Sequence, residues 1–468
     1  MIALRRILFV VFAVAYLAFC PSLILDVLAI LRTGMIAVQS KPANATVLIH
    51  ERIIDGTTPL RIPKLLPGKY ELSVLLPGYR TWTQSVRVKE GEATTLDRIL
   101  LLPDHLKVTE LSQAGFERLI AMEETPFILL APRGEMGAWQ VFDVENETLH
   151  PLLPAGSPFS AAHIEKVFTS PKSTQILLCA ALAGRSLVLR VNLSAEPHSM
   201  EYLSTHFPEP PDRILWDASA EDVLFSFRRG KVRKIDVRLG SDDPNFGANW
   251  RGIGVFDQRV FSMDSRTRIW STDFDKGSAE TILDDPKAGR EIFGQPGFFA
   301  ITPLDTETIL FLGDDGRLCQ SGLPNVLVEK GVRGVRLDNQ TTRALVWTAH
   351  KLGVLETSST ESLGDKTEHF QKGRQVIWTF EGAEDITDAW FVDGGSQALV
   401  LDGNRVYLLD LFPGLQARPR EVIKAKEHGA IRHDDEQGVA YALEPNRGRL
   451  VSIQLAPSSS ALAEGTSR

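Results

Sequence analysis

The densest run of groups able to hold a metal or move a proton is His433-Asp434-Asp435-Glu436, an imidazole and three carboxylates in four residues. Coordination needs such donors to converge on one point. However, the run fills the slot that Asp217 and Asp393 fill in other copies of a repeat described below, and it reads as a solvated turn. Gly240–Gly247 (GSDDPNFG) pairs Asp242 with Asp243 as a calcium loop would, but lacks the acidic residue at position twelve of that motif. Leu283–Asp285 and Gly313–Gly316 are read as ordinary turns. The three cysteines, Cys20, Cys179 and Cys319, are too few and too far apart for a disulfide framework or a metal site. Cys179 and Cys319 sit in strand-like contexts where a thiol packs as a small hydrophobe.

Nucleophile motifs are absent: there is no G-x-S-x-G, no H-E-x-x-H and no Walker glycine loop, and the ten histidines are dispersed. No catalytic, cofactor-binding or metal-ligating residue is assigned, no cofactor is implied, and the chain is read as a non-enzyme. Asn44, Asn146, Asn192 and Asn339 each begin an N-x-S/T sequon, which is put down to chance.

The 468 residues are 43% hydrophobic and 24% charged, enough for a large folded core. The net charge of -8 is uneven: residues 1–103 hold 12 Lys+Arg against 7 Asp+Glu, and the remainder 39 against 52. An acidic body argues against a phosphate backbone as partner, so nucleic acid is set aside.

Arg5 and Arg6 precede 19 mostly apolar residues, Ile7 to Leu25. As a helix this run would be roughly 28 Å long, close to the thickness of bilayer hydrocarbon. A cleaved signal peptide is the rival reading, but the apolar character resumes after Asp26 and no A-x-A site is clear. Arginines ahead of the span predict a cytoplasmic N-terminus, with the bulk of a single-pass protein outside. The divisions expected are a cytoplasmic stub (1–6), a transmembrane helix and linker (7–33), a β-sandwich (34–103), a β-propeller (104–457) and a disordered tail (458–468).

In the sandwich, Leu-Pro-Gly ending at Gly68 and again at Gly78 predicts two type II turns around one strand. That strand alternates, with Tyr70, Leu72, Val74 and Leu76 on one face. Trp82, Val86 and Val88 repeat the phase in the next. Five to six antiparallel strands are expected. The run Ser40, Pro42, Ala45, Val47, Ile49, then Gly56-Thr57-Thr58-Pro59, then Leu66-Pro67-Gly68 with Tyr70, then Pro77-Gly78-Tyr79, resembles the PEGA domain. Its naming tetrapeptide stands here as Pro42-Ala43-Asn44-Ala45, with Asn44 where the family prefers Gly. The resemblance implies a small surface module of the prokaryotic envelope, without catalytic residues of its own.

Past residue 104 a polar turn, an apolar strand, a hairpin and a second strand recur, with onsets at 123, 170, 217, 257, 305, 338, 393 and 434. Spacing mostly between about 40 and 50 residues is the period of propeller blades, each a four-stranded sheet. Eight blades are expected, with seven as the alternative. Asp315-Gly316, Asp402-Gly403-Asn404 and Asn446-Arg447-Gly448 supply the hairpin turns. The pattern is similar to WD40-like and TolB-like propellers, though no Trp-Asp dipeptide closes the blades. The fold class is therefore all-β behind a membrane helix. The function expected is binding or scaffolding of an envelope protein, peptide or glycan. The alternatives are an extracytoplasmic hydrolase or lyase with its site at the propeller axis, and a sensor subunit acting through a membrane partner.

Overall fold

The computed structural model describes residues 33–122, 125–170, 173–195, 197–216, 220–275, 279–283, 292–294, 297–304, 309–321, 326–338, 343–356, 375–412, 415 and 417–457. The apolar run Ile7–Leu25, the stub, the tail and Cys20 lie outside these residues. Among the described residues no helix is long and apolar enough to cross a membrane.

The first seven strands are β1 (Gly34–Lys41), β2 (Thr46–Ile49), β3 (Arg52–Thr57), β4 (Leu60–Leu65), β5 (Gly68–Leu75), β6 (Trp82–Val88) and β7 (Ala93–Leu100). They form two facing sheets, β4-β1-β7 and β3-β2-β5-β6. Ile36, Val38, Val47, Leu72, Val74 and Val86 are buried between them, as the alternation requires. There are seven strands where five to six were expected, and β1 and β7 pair in parallel, Met35 with Ala93 through Val38 with Leu96. A wholly antiparallel domain is thereby corrected.

One of the two predicted turns also differs. Gly78 has the positive φ (83°) of a type II turn, whereas the positive φ near Gly68 belongs to Lys64 (60°), and Gly68 opens β5. Asn44 holds φ 64°, a left-handed geometry that asparagine tolerates, which explains how it can stand in the place of a glycine. Below it, Thr58 Oγ1 accepts the Ala45 amide at 3.0 Å and lies 2.6 Å from Ser40 Oγ, fixing the turn to the strand.

After β7 comes a three-residue strand, β8 (Val108–Glu110). Eight four-stranded sheets then follow as blades, with strands a to d counted outward from the axis: blade 1 (118–151), 2 (163–202), 3 (213–248), 4 (250–283), 5 (299–329), 6 (334–381), 7 (386–424) and 8 (431–454). Blade 8 supplies only three strands of its own. Its fourth is β8, which pairs Val108 with Ile453 and Glu110 with Val451. The first strand of the propeller thus completes the last blade and ties the ring shut.

Closure is also visible in the propeller core, where each hydrophobic cluster is shared by two neighbouring blades. Leu119, Ile128 and Phe142 of blade 1 pack on Tyr441, Leu443 and Leu450 of blade 8, so no seam is left open. Buried Arg432 of strand 8a reinforces that seam by donating to the Phe127 and Thr125 carbonyls of blade 1. In blades 4 and 5 the inner strands approach closely enough to pair in parallel, Gly252 with Phe299 and Ile253 with Ala300. Glycine makes this possible, since a Cβ at Gly254 would run into the Ile301 carbonyl oxygen.

The sandwich is bound to blade 7. Trp82 Nε1 donates to Asp410 Oδ2 at 2.8 Å, and Arg420 donates to Asp410 Oδ1 at 2.9 Å and to the Leu100 carbonyl at 2.6 Å. Phe412 enters the sandwich core edge-on to Trp82. Gln397 Nε2 meets the Arg98 carbonyl at 2.6 Å, and Lys41 pairs with Asp393 at 3.1 Å. Asp410 and Arg420 are 8% and 16% exposed, and burial pulls the guanidinium pKa down against the opposing pull of Asp410. Removing one member of such a pair strands a charge out of water.

Chemical denaturation tests both the blade 4–5 approach and the Trp82–Asp410 bond. Gly254→Ala should cost about 1–3 kcal/mol, the range for overpacking. Asp410→Ala should cost about 3–5 kcal/mol and Trp82→Phe about 1–2 kcal/mol. The double variant should fall short of their sum, because both remove the same bond.

Candidate binding face

The order of strands within a blade sorts the loops onto two sides of the disc. Loops between a and b lie on one side with those between c and d, while b–c hairpins lie on the other with the links from d to the next a. The repeat onsets that fall among the described residues, at Ser170, Asp257, Asp338, Asp393 and Asp434, lie at a–b turns, so the four aspartates share one side.

These carboxylates are occupied in turn geometry. Asp434 Oδ1 accepts the amides of Glu436 and Gln437 at 2.9 and 3.0 Å, and Asp338 Oδ1 accepts the Arg343 amide at 3.2 Å. Asp143 and Asp236 do the same in c–d turns. An aspartate at the head of a turn accepts the amides that the turn leaves unpaired. The cluster at 433–436 is therefore divided: Asp434 shapes the turn, Asp435 accepts the Asp393 amide at 2.7 Å, and His433 is buried beside Asp435 at 3.0 Å. Among the described residues no three His, Cys, Asp or Glu side chains gather into a metal site. In the stretch 240–247, Asp242 pairs with Arg233 and Asp243 accepts the Asn245 amide. Burial pushes the Cys179 thiol up to about 11 and Cys319 up to about 12, which keeps both as buried hydrophobes.

The axis carries three carboxylates on its a strands: Glu165, Asp388 and Asp434. Asp388 is enclosed: it accepts Arg336 of blade 6 at 2.9 Å, the Ile431 amide of blade 8 at 3.0 Å and the Trp390 indole at 3.2 Å. Burial raises its pKa, with Arg336 acting against that. The three contacts make it a clamp across three blades, and Arg336 lies 3.8 Å over the Trp390 ring.

The b–c side has the opposite charge. Every b–c hairpin carries a cation within it or at its margin: Arg133, Arg185, Arg229, Arg266, Arg317, Lys351, Arg405 and Arg447, in blade order. The turns themselves use glycines with positive φ at Gly184, Gly230, Gly316, Gly403 and Gly448, as predicted for the last three. Some of these cations are paired within the face, as in Arg317–Asp315 at 3.0 Å. Arg213 at the start of strand 3a bonds Asp314 of blade 5 at 2.8 Å and lies 4.3 Å over Phe298, bridging blades 3 and 5.

Among the described residues the sandwich's polar contacts reach blade 7 through Asp393, Gln397, Asp410, Arg418, Arg420 and Glu421, with Phe412 in its core, and leave the cationic side open. Beside the seam, a groove of about 440 Å³ runs between Trp378 and Phe380 of blade 6 and Phe412 and Leu415. The charge alternation around strand b was present in the sequence in every blade but the second, with acid before it and Arg or Lys after it, but only the blade geometry turns it into two faces.

The family model for the PEGA domain matches residues 33–100. No curated protein matches the chain in sequence. Solved structures similar to it include the C-terminal WD40 domain of Sif2, at 11% identity over 74% of this chain and 97% of that one, TM-score 0.49. The β-propeller domain of Myceliophteria thermophila Cps50 (Swd1) is 11% identical over 75% and 99%, TM-score 0.40. The computationally designed Ika8 protein is 13% identical over 74% and 99%, TM-score 0.44. Residues 33–100 are thus a PEGA domain, and behind it the strand pairing closes a propeller of eight sheets.

Proposed function

We propose that this protein is a membrane-anchored binding or scaffold protein of the prokaryotic envelope, holding its propeller outside the cell at a fixed distance from the bilayer. The observation that carries the reading is the polarity of the PEGA domain. Register puts Gly34 opposite Leu65 and Gly68 opposite Val88 at one end, and Trp82 opposite Val74 at the other. The second end is the one bound to blade 7. Strand β5 alone separates the two by roughly 23 Å.

The first end has the character of a membrane-facing surface. The chain enters there from the apolar run, and Leu66 is 68% exposed, where a soluble end would bury or replace it. Lys64 and Lys69 flank it, as suits anionic headgroups. The open cationic side of the propeller is the surface left for a partner. The enclosure of Asp388 at the axis favours this reading over a hydrolase, which needs a carboxylate that substrate can reach.

Full-length protein should stay in the membrane fraction through alkaline carbonate and high salt, and should be digested by protease added outside spheroplasts. Release by carbonate, or protection of the propeller, would contradict the reading.

A further inference from the structure

We infer that an arc of the open face, running from blade 8 through blades 1, 2 and 3 to blade 4, docks an acidic protein surface. The inference rests on the binding reading above and names the partner of that face. Six cations on the arc, Arg447, Arg118, Arg185, Arg229, Lys231 and Arg266, are exposed and have no side-chain partner among the described residues. They come from five consecutive blades; Arg118 opens strand 1a and the other five stand on or beside b–c hairpins held by rigid sheets.

The remaining arginines of the arc are neutralised locally: Arg133 by Glu117, Arg228 by Glu209 at 2.7 Å, Arg268 by Asp264 at 2.7 Å and Arg449 by Glu110 at 2.6 Å. Among the described residues of the arc three carboxylates, Glu135, Asp212 and Glu444, have no cation partner, so six free cations there face three free carboxylates. The excess stands out because the chain beyond residue 103 is strongly acidic overall. Elsewhere on the face the signs balance: Arg333 pairs with Asp385 at 3.0 Å and Arg317 with Asp315.

The mixture of signs selects the partner. A stiff or flat polyanion, such as a uronate polymer or an anionic bilayer, carries its charges at fixed spacing and would have to meet Asp212 and Glu135 among the cations, whereas a peptide chain can bend its carboxylates away from them. A folded acidic surface can place its own charges to match, which is how protein interfaces gain specificity. Five of the six cations are arginines, whose planar fork meets a carboxylate with two parallel bonds. Distance from the PEGA domain, which sits on the other side of blade 7, keeps the arc clear of the membrane-facing end.

The test uses full-length protein in neutral detergent micelles, with a fluorescent poly-glutamate peptide as probe, a polygalacturonate chain as the glycan arm and phosphatidylglycerol vesicles as the lipid arm. Poly-glutamate should bind most tightly at low salt. The triple reversal R185E/R229E/R266E should weaken it by about tenfold, an effect that shrinks as salt rises. The neutral set R185A/R229A/R266A should weaken it by about threefold, with melting temperature unchanged because all three side chains are exposed. The control reversal K64E/K69E, at the far end of the PEGA domain, should leave binding intact. Equal binding by the arc variants and wild type, equal loss in the control, or tighter binding of polygalacturonate or vesicles would overturn the inference. Carbonate extraction of the same preparations reads the anchor separately, so either idea can fail alone.

Discussion

Asp410 is the residue on which the arrangement turns. One carboxylate takes the indole of Trp82 from the sandwich and the guanidinium of Arg420 from blade 7, and that guanidinium also reaches the Leu100 carbonyl at the end of β7. A buried charge with good partners contributes little net stability but fixes geometry, because any slip leaves it unpaired. The same β7 end leads to β8, so the segment held at the node is the one that ties the ring shut. Orientation of the PEGA domain and closure of the propeller are thus consequences of one short stretch, Leu100 to Glu110.

The ring removes the edges an open sheet would expose, and its repeated hairpins give the two sides opposite charge. Aspartate heads the a–b turns because its side chain satisfies turn amides, and glycine with a flanking arginine suits the tight b–c reversals. Repeated around the ring, with blade 2 lacking the a–b acid and blades 4 and 6 the b–c glycine, these local preferences give the disc an acidic side and a cationic one. The PEGA domain, the more basic part of the chain, sits on the acidic side through Lys41 and Asp393.

Much of this was legible in the residues. The alternation of Leu72 and Val74, and of Trp82, Val86 and Val88, gave the sandwich strands, and the turn onsets gave the blade count. The a strands were harder to see, since four-residue segments such as Arg213–Trp216 are too short to show a period. Strand β8 is three residues, Val-Thr-Glu, all exposed, and carries no burial pattern at all. Trp82 and Asp410 are 328 residues apart, and nothing local marks either as the other's partner. The Leu-Pro-Gly at Gly68 misled because the positive φ moved to Lys64, a bulge site that sequence does not flag.

The most direct test of the fixed arrangement is a distance between the two ends of the molecule, by pulsed electron spin resonance on full-length protein with Cys20 replaced by serine. Labels placed at Lys64 on the PEGA domain and Arg185 on the open face are both exposed, while Cys179 and Cys319 are buried and will not react. A single narrow distance that broadens in Asp410→Ala is predicted. A broad or multiple distribution in the wild type would show that the PEGA domain swings freely and would contradict the account.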